Sequence, residues 1–388
     1  MNPFFPVTSA HDTLWSLFAF GPVGIAAQFF LDPDSSVASN TATTAITAEE
    51  RLERKPQGLT HEPPHEPPPL VCDTASVQIH TTAQPVNQAA QEADSSQWLS
   101  SRFEHNNSTL RFKIYVPSGY AGQPLPMIVM LHGAQQNPDD FAAGTQMNAA
   151  AEAQGYIVVY PEQSESANAL RCWNWFRPAD RRLESGEAAM VAALTREVMS
   201  LYNVDTARVY VAGMSAGGAM AVNLAVTHPD LYAAAAIHSG VAFGVADEPL
   251  SALCAMNDGL GRVRLPVRLS NGVPQRAVPL IVFHGDADDI VHPRNCDQIS
   301  AMSRLLAGTE ADTLPPRLIQ MENVETGHAY TRHVFHDHAG VSIGEQWLVH
   351  GLGHAWSGGN PEGTHTDVRG PQATQEIIRF FGQFALDN

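Results

Sequence analysis

The chain has few basic residues, few cysteines and no long unbroken apolar run, and each shortage closes off a class of function. Lys and Arg number 22 among 388 residues against 40 Asp and Glu, a formal net charge of −18. That is the wrong sign for gripping a phosphate backbone, so nucleic acid is not expected as a partner. It also disfavours anionic membranes and anionic substrates. The four cysteines, Cys72, Cys172, Cys254 and Cys296, contain no C-x-x-C pair, which argues against a zinc or redox motif. They allow two disulfides in an oxidising compartment and four free thiols elsewhere. A basic n-region is missing as well, because the first Lys or Arg is Arg51; no signal peptide is predicted and the compartment stays open. Residues 13–31 are rich in Leu, Phe, Ala and Val, but Gly21, Pro22, Gly24 and Gln28 interrupt them, so no transmembrane span is predicted. A short docked or disordered segment is expected there, with a surface anchor for a hydrophobic body as the alternative.

Aromatic residues are scarce from about 35 to 97, where Ser, Thr, Ala, Gln, Pro and Glu dominate. Such a stretch buries too little surface to order itself and reads as linker. Its H-E-P-P-H-E-P-P-P run at 61–69 favours extended polyproline geometry. The chain therefore divides into an N-terminal segment, 1–100, and a catalytic domain, 101–388.

What is present after residue 98 is a series of short apolar runs closed by Gly or Pro and separated by helical stretches. Strands are predicted at 111–116, 127–131, 156–160, 209–212, 234–237, 280–283 and 346–349. Helices are predicted at 144–153, 187–202 and 216–227, with a last one starting near Pro371 that presents Ile377, Ile378, Phe381 and Phe384 on one face. This alternation is that of a doubly wound, mostly parallel α/β domain.

The run V-Y-V-A-G-M-S-A-G-G at 209–218 passes from a buried strand through G-x-S-x-G into an Ala-rich helix. That is the context a nucleophile elbow requires: the turn crowds its neighbours, so Gly213 and Gly217 must lack a Cβ, and Ser215 is held proud of the strand end. A serine needs a base and an acid to orient that base. The predicted strand at 280–283 runs into H-G-D-A-D-D-I-V at 284–291, putting Asp286, Asp288 and Asp289 at a carboxyl end. Asp288 is taken as the acid, although spacing alone does not separate it from its neighbours, which also read as loop carboxylates. The last strand ends in a glycine-rich loop with two histidines. His354 lies within the loop and is taken as the base, while His350 adjoins the strand and reads as a supporting residue. Two amides are needed for an oxyanion: Ala216, after the nucleophile, and Ala134, in the H-G-A-Q segment after an early strand. His132 reads as a brace for that loop.

From about 109 onward the chain resembles the esterases of the polyhydroxybutyrate depolymerase family. The resemblance rests on five segments in order: L-H-G-A-Q-Q-N-P-D-D-F-A-A-G-T at 131–145; R-C-W-N-W-F at 171–176; the Ser215 elbow; H-G-D-A-D at 284–288 with H-P-R-N at 292–295; and G-H-A-W-S-G-G at 353–359. It implies an α/β-hydrolase fold, no metal or organic cofactor, an ester or polyester substrate of the short-chain polyhydroxyalkanoate class, and Ser215, Asp288 and His354 as nucleophile, acid and base. Family members commonly carry Cys where this chain has Ala134. Secreted members add a linker and a polymer-binding domain after the catalytic one, and here the chain stops at its last helix. Trp173, Trp175 and Trp356 are candidates for an apolar substrate-binding surface, with interior packing as the alternative. His328, His333, His336 and His338 lack a matching carboxylate pattern, so no metal is expected. The competing functions are an acetyl xylan or feruloyl esterase and, of a different kind, a protein that binds polymer granules through residues 13–31.

Overall fold

The computed structural model describes residues 76–78, 95–265, 276–307, 317–321, 327–337 and 340–387. The apolar runs form a sheet whose centre is six parallel strands: Ile157–Glu162, Leu125–Leu131, Val204–Met214, Ala234–His238, Leu280–Gly285 and Ser342–Val349, in that spatial order. Side chains alternate between faces along a strand. Val129 and Leu131 accordingly pack in one core with helices Gly186–Leu201, Ala216–Thr227 and Arg294–Leu306. Ile128 and Met130 pack in the other with Pro138–Thr145, Met147–Gln154 and Ala373–Phe381. Burial on both faces is why the strands read as continuous apolar runs rather than alternating ones. The fold is that of an α/β-hydrolase, with helices on both sides of a mostly parallel sheet.

The sheet extends further than the apolar runs suggest. Antiparallel strands Ser76–Gln78, Gln97–His105 and Ser108–Val116 widen one edge, and Tyr330–His336 and Arg317–Met321 widen the other, giving eleven strands. The hairpin Gln97–His105/Ser108–Val116 turns at Asn106 and Asn107, with φ of 48° and 59°, the left-handed pair that a tight two-residue hairpin needs. Strand Ser76–Gln78 falls in the stretch read as linker; the apolar run at 13–31 lies outside the described residues. The helix expected at 144–153 is two helices, broken at Gln146, whose φ of 55° caps the first and starts the second. Among the described residues Cys172, Cys254 and Cys296 are free thiols, no helix is long and apolar enough to cross a membrane, and no cluster of metal-ligating side chains occurs.

Candidate active site

Ser215, Asp288 and His354, predicted from the sequence, all follow the carboxyl ends of central strands. The strand Val204–Met214 runs into Ser215, and helix Ala216–Thr227 starts at the next residue. Ser215 has φ 56° and ψ −120°, strained for a residue with a Cβ and held by its surroundings. Its amide donates to the His238 carbonyl at 2.9 Å and its carbonyl accepts from Ala219 at 2.9 Å. A Cβ on Gly213 would lie 2.3 Å from the Gly217 carbonyl oxygen, and one on Gly217 would lie 2.0 Å from that of Leu131. Both glycines are therefore sterically required.

Asp288 is buried at the end of Leu280–Gly285, whereas Asp286 and Asp289 are exposed. One carboxylate oxygen of Asp288 accepts the amides of Ile290 at 3.0 Å and Val291 at 2.8 Å. The other accepts from Nδ1 of His354 at 2.8 Å, with Nε2 of His284 at 3.4 Å. Burial alone raises this carboxyl's proton affinity, but His354 and His284 outweigh it and hold Asp288 well below the ordinary carboxylate range. With Nδ1–H committed to Asp288, Nε2 of His354 is left as the basic nitrogen. Ser215 and His354 line one cleft together with Gly133, Ala134, Gln135, Gln136, Met214, Ile290 and His365.

The loop after Leu125–Leu131 is braced from behind. Nε2 of His132 accepts the Gln163 amide at 3.1 Å, so Nδ1 carries the proton and donates to the Gly133 carbonyl at 2.7 Å. Burial lowers this imidazole to about 4, keeping it neutral. Trp173 Nε1 donates to the His132 carbonyl at 3.1 Å, and Gln136 Oε1 accepts the Gly133 amide at 2.9 Å. Gln135 follows Ala134 with φ 65° and donates its amide to the Leu170 carbonyl at 2.7 Å. Among the described residues neither the Ala134 nor the Ala216 amide donates to another group of the chain.

A family model described as esterase PHB depolymerase matches residues 110–316, more than half of the chain. The chain belongs to this family of esterases. Poly(3-hydroxyalkanoate) depolymerase C of Paucimonas lemoignei is 28% identical over 259 residues, covering 66% of this chain and 60% of the depolymerase. This chain thus spans less than two thirds of that relative's length. Feruloyl esterase B of Neurospora crassa is 31% identical over 204 residues, 49% of this chain and 67% of that one. Among solved structures, the acetyl xylan esterase from Aspergillus awamori superposes with a TM-score of 0.57 at 22% identity, covering 74% of this chain and 99% of that chain; it supports the fold.

Within this esterase-family fold the three tryptophans part company. Trp356, two residues past His354, is 1% exposed: its ring stacks on His238, meets Phe141 edge-on, and donates to Thr374 at 3.1 Å. Trp173, also 1% exposed, holds the His132 carbonyl. Both are interior braces: short strand pairing turns Trp356 inward, and Trp173 packs beneath His132. Of the three, Trp175 borders space beside Ser215, in a small apolar hollow with Ala134, Val241 and Met256. Two residues in or behind the cleft had no sequence signal. His238 links the elbow to the His354 loop, its carbonyl accepting the Ser215 amide and its Nε2 the Ser357 amide at 3.0 Å. His365 lines the cleft itself.

Proposed function

We propose that the chain hydrolyses carboxylic esters through an acyl-enzyme formed on Ser215. The observation that carries this reading is the buried Asp288–His354 pair sharing a cleft with a serine held at a strained strand-to-helix turn. In the reaction, Nε2 of His354 takes the proton of the Ser215 hydroxyl as its oxygen attacks the ester carbonyl. The oxyanion is met by the amides of Ala134 and Ala216, the latter at the positive end of a helix. His354 then gives its proton to the leaving alcohol, and a water activated by the same nitrogen releases the acid. Ionised Asp288 stabilises the imidazolium formed in both halves.

For the substrate, we propose short-chain poly(3-hydroxyalkanoate) or its oligomers, a reading supported by family membership and by the depolymerase of Paucimonas lemoignei. Plant-polysaccharide esters are the second reading, favoured by the feruloyl esterase relative. The test is hydrolysis of p-nitrophenyl butyrate by the wild type and by Ser215→Ala, followed by 3-hydroxybutyrate trimer against acetylated xylan. An active wild type and a variant slower by at least about a thousandfold are expected. A variant keeping most of the activity overturns the mechanism; preference for xylan overturns the substrate. Association with polymer granules through residues 13–31 is a further proposal, read out by granule binding with and without them.

A further inference from the structure

Beside the apolar Ile290, His365 is the one side chain on the cleft wall, among the described residues, that neither the elbow, the acid–histidine pair nor the oxyanion loop accounts for. Its ring stands edge-on to that of His354, with centroids 6.4 Å apart and planes at 73°. The backbone is left-handed there, with φ 53°, an unusual conformation for a residue with a full side chain that persists only where the surroundings impose it. They do so on both sides. Thr364 is tied to Asp140 by its amide at 2.8 Å and its hydroxyl at 2.6 Å, and to Gln136 through its carbonyl at 3.1 Å. Thr366 pairs with Trp356 in a short parallel ladder, and the His365 carbonyl accepts the Trp356 amide at 2.7 Å. The strap thus hangs between the oxyanion loop and the His354 loop and delivers one imidazole into the cleft. Burial, then the proximity of His354, lowers its proton affinity, with Asp140 opposing. A neutral imidazole offers one donor and one acceptor nitrogen, and among the described residues neither is taken by the protein.

Two hollows meet at Ser215 and Ala134. One is apolar, with Trp175, Val241, Met256 and Val291; the other holds His354 and His365. A base that protonates the leaving oxygen must stand on the alcohol side, which places His365 on that side and leaves the apolar hollow for the acyl chain. Resting on the ester reading above, we propose that His365 is a specificity residue that hydrogen-bonds a second oxygen on the alcohol portion of the ester. The substrates it selects are esters whose leaving alcohol carries a carbonyl, carboxylate or hydroxyl a few bonds from the ester oxygen, as in hydroxyacid oligomers and acetylated sugars. Simple alkyl esters gain nothing from it.

The test compares the full chain with two variants. His365→Asn tolerates the left-handed backbone and removes the ring; His365→Phe keeps the bulk and removes both nitrogens. Each is assayed on ethyl butyrate, linear 3-hydroxybutyrate trimer and a methyl xyloside acetate. For the oxygen-bearing ester that the wild type prefers, kcat/KM is expected to fall about tenfold, the scale of one lost hydrogen bond, chiefly through KM. Ethyl butyrate turnover is expected to stay within about twofold. Loss on the trimer marks a hydroxyacid oxygen, and loss on the xyloside marks a sugar hydroxyl. An equal loss on ethyl butyrate overturns the proposal in favour of support for His354, and so does no loss on either oxygen-bearing ester. A wild type inactive on all three, ethyl butyrate included, sinks the ester reading itself rather than the role of His365.

Discussion

Two aspartate–histidine pairs stand at the same end of the sheet, Asp288 with His354 and Asp286 with His350, each closed by a 2.8 Å bond from a histidine Nδ1. Bond length does not distinguish them. Exposure does: the side chains are 0% and 10% exposed in the first pair and 38% and 37% in the second. Satisfaction does too. His350 spends its second nitrogen on the Thr331 hydroxyl at 2.8 Å, and Asp286 also accepts the Gly351 amide. Both ends of that imidazole are occupied by the protein. Among the described residues His354 is hydrogen-bonded through Nδ1 alone, and its ring lines the cleft. An identical contact thus serves as an exposed loop tie in one place and, once buried and half-satisfied, fits the proposed proton transfer in the other.

The comparison breaks most sharply on substitution of the buried acid. Asp288→Asn removes the charge that opposes an imidazolium and alters the donor pattern at Nδ1; kcat on p-nitrophenyl butyrate is expected to drop by about 10²- to 10⁴-fold. A drop below tenfold would mean that burial does not assign the role. The next effect concerns stability. The carboxyl of Asp288 is held below its unfolded value near 4, so its contribution is fully present above that pH and is lost as pH falls through the folded value. Urea midpoints of the wild type should therefore decline more steeply than those of Asp288→Asn on acidification from about pH 5 to 3. The smallest effect belongs to the exposed pair. Asp286→Asn and His350→Gln are each expected to change kcat/KM less than about threefold and stability by less than about 1 kcal/mol, as for surface ion pairs. A larger fall in activity would show that the outer pair positions the inner one through the shared loop.

Ser215 was legible because G-x-S-x-G between a buried strand and a helix is a compact motif, although the Gly217 clash comes from Leu131 on the neighbouring strand. The proposed acid was less so, since three aspartates share one loop and their difference is burial, with Asp288 enclosed against His284 and His354. Trp356 misled for the same reason. Adjacency to His354 suggested contact with substrate, whereas pairing with Thr366 directs the ring inward against His238. The two-helix break at Gln146 and the edge hairpins escaped notice because left-handed residues other than glycine, such as Asn106 and Asn107, carry only a weak local signature.

By itself the sequence determined the parallel core and the order in which the Ser215 turn, the aspartate-rich loop and the histidine loop arrive, because these follow from the spacing of apolar runs and of the motifs between them. The tertiary structure decided which aspartate is buried, which imidazole is bonded at both nitrogens, which tryptophan meets the space beside Ser215, and that His365 enters the cleft. Those outcomes depend on desolvation by segments distant in sequence, and desolvation is a property of the packed molecule rather than of any stretch of its chain.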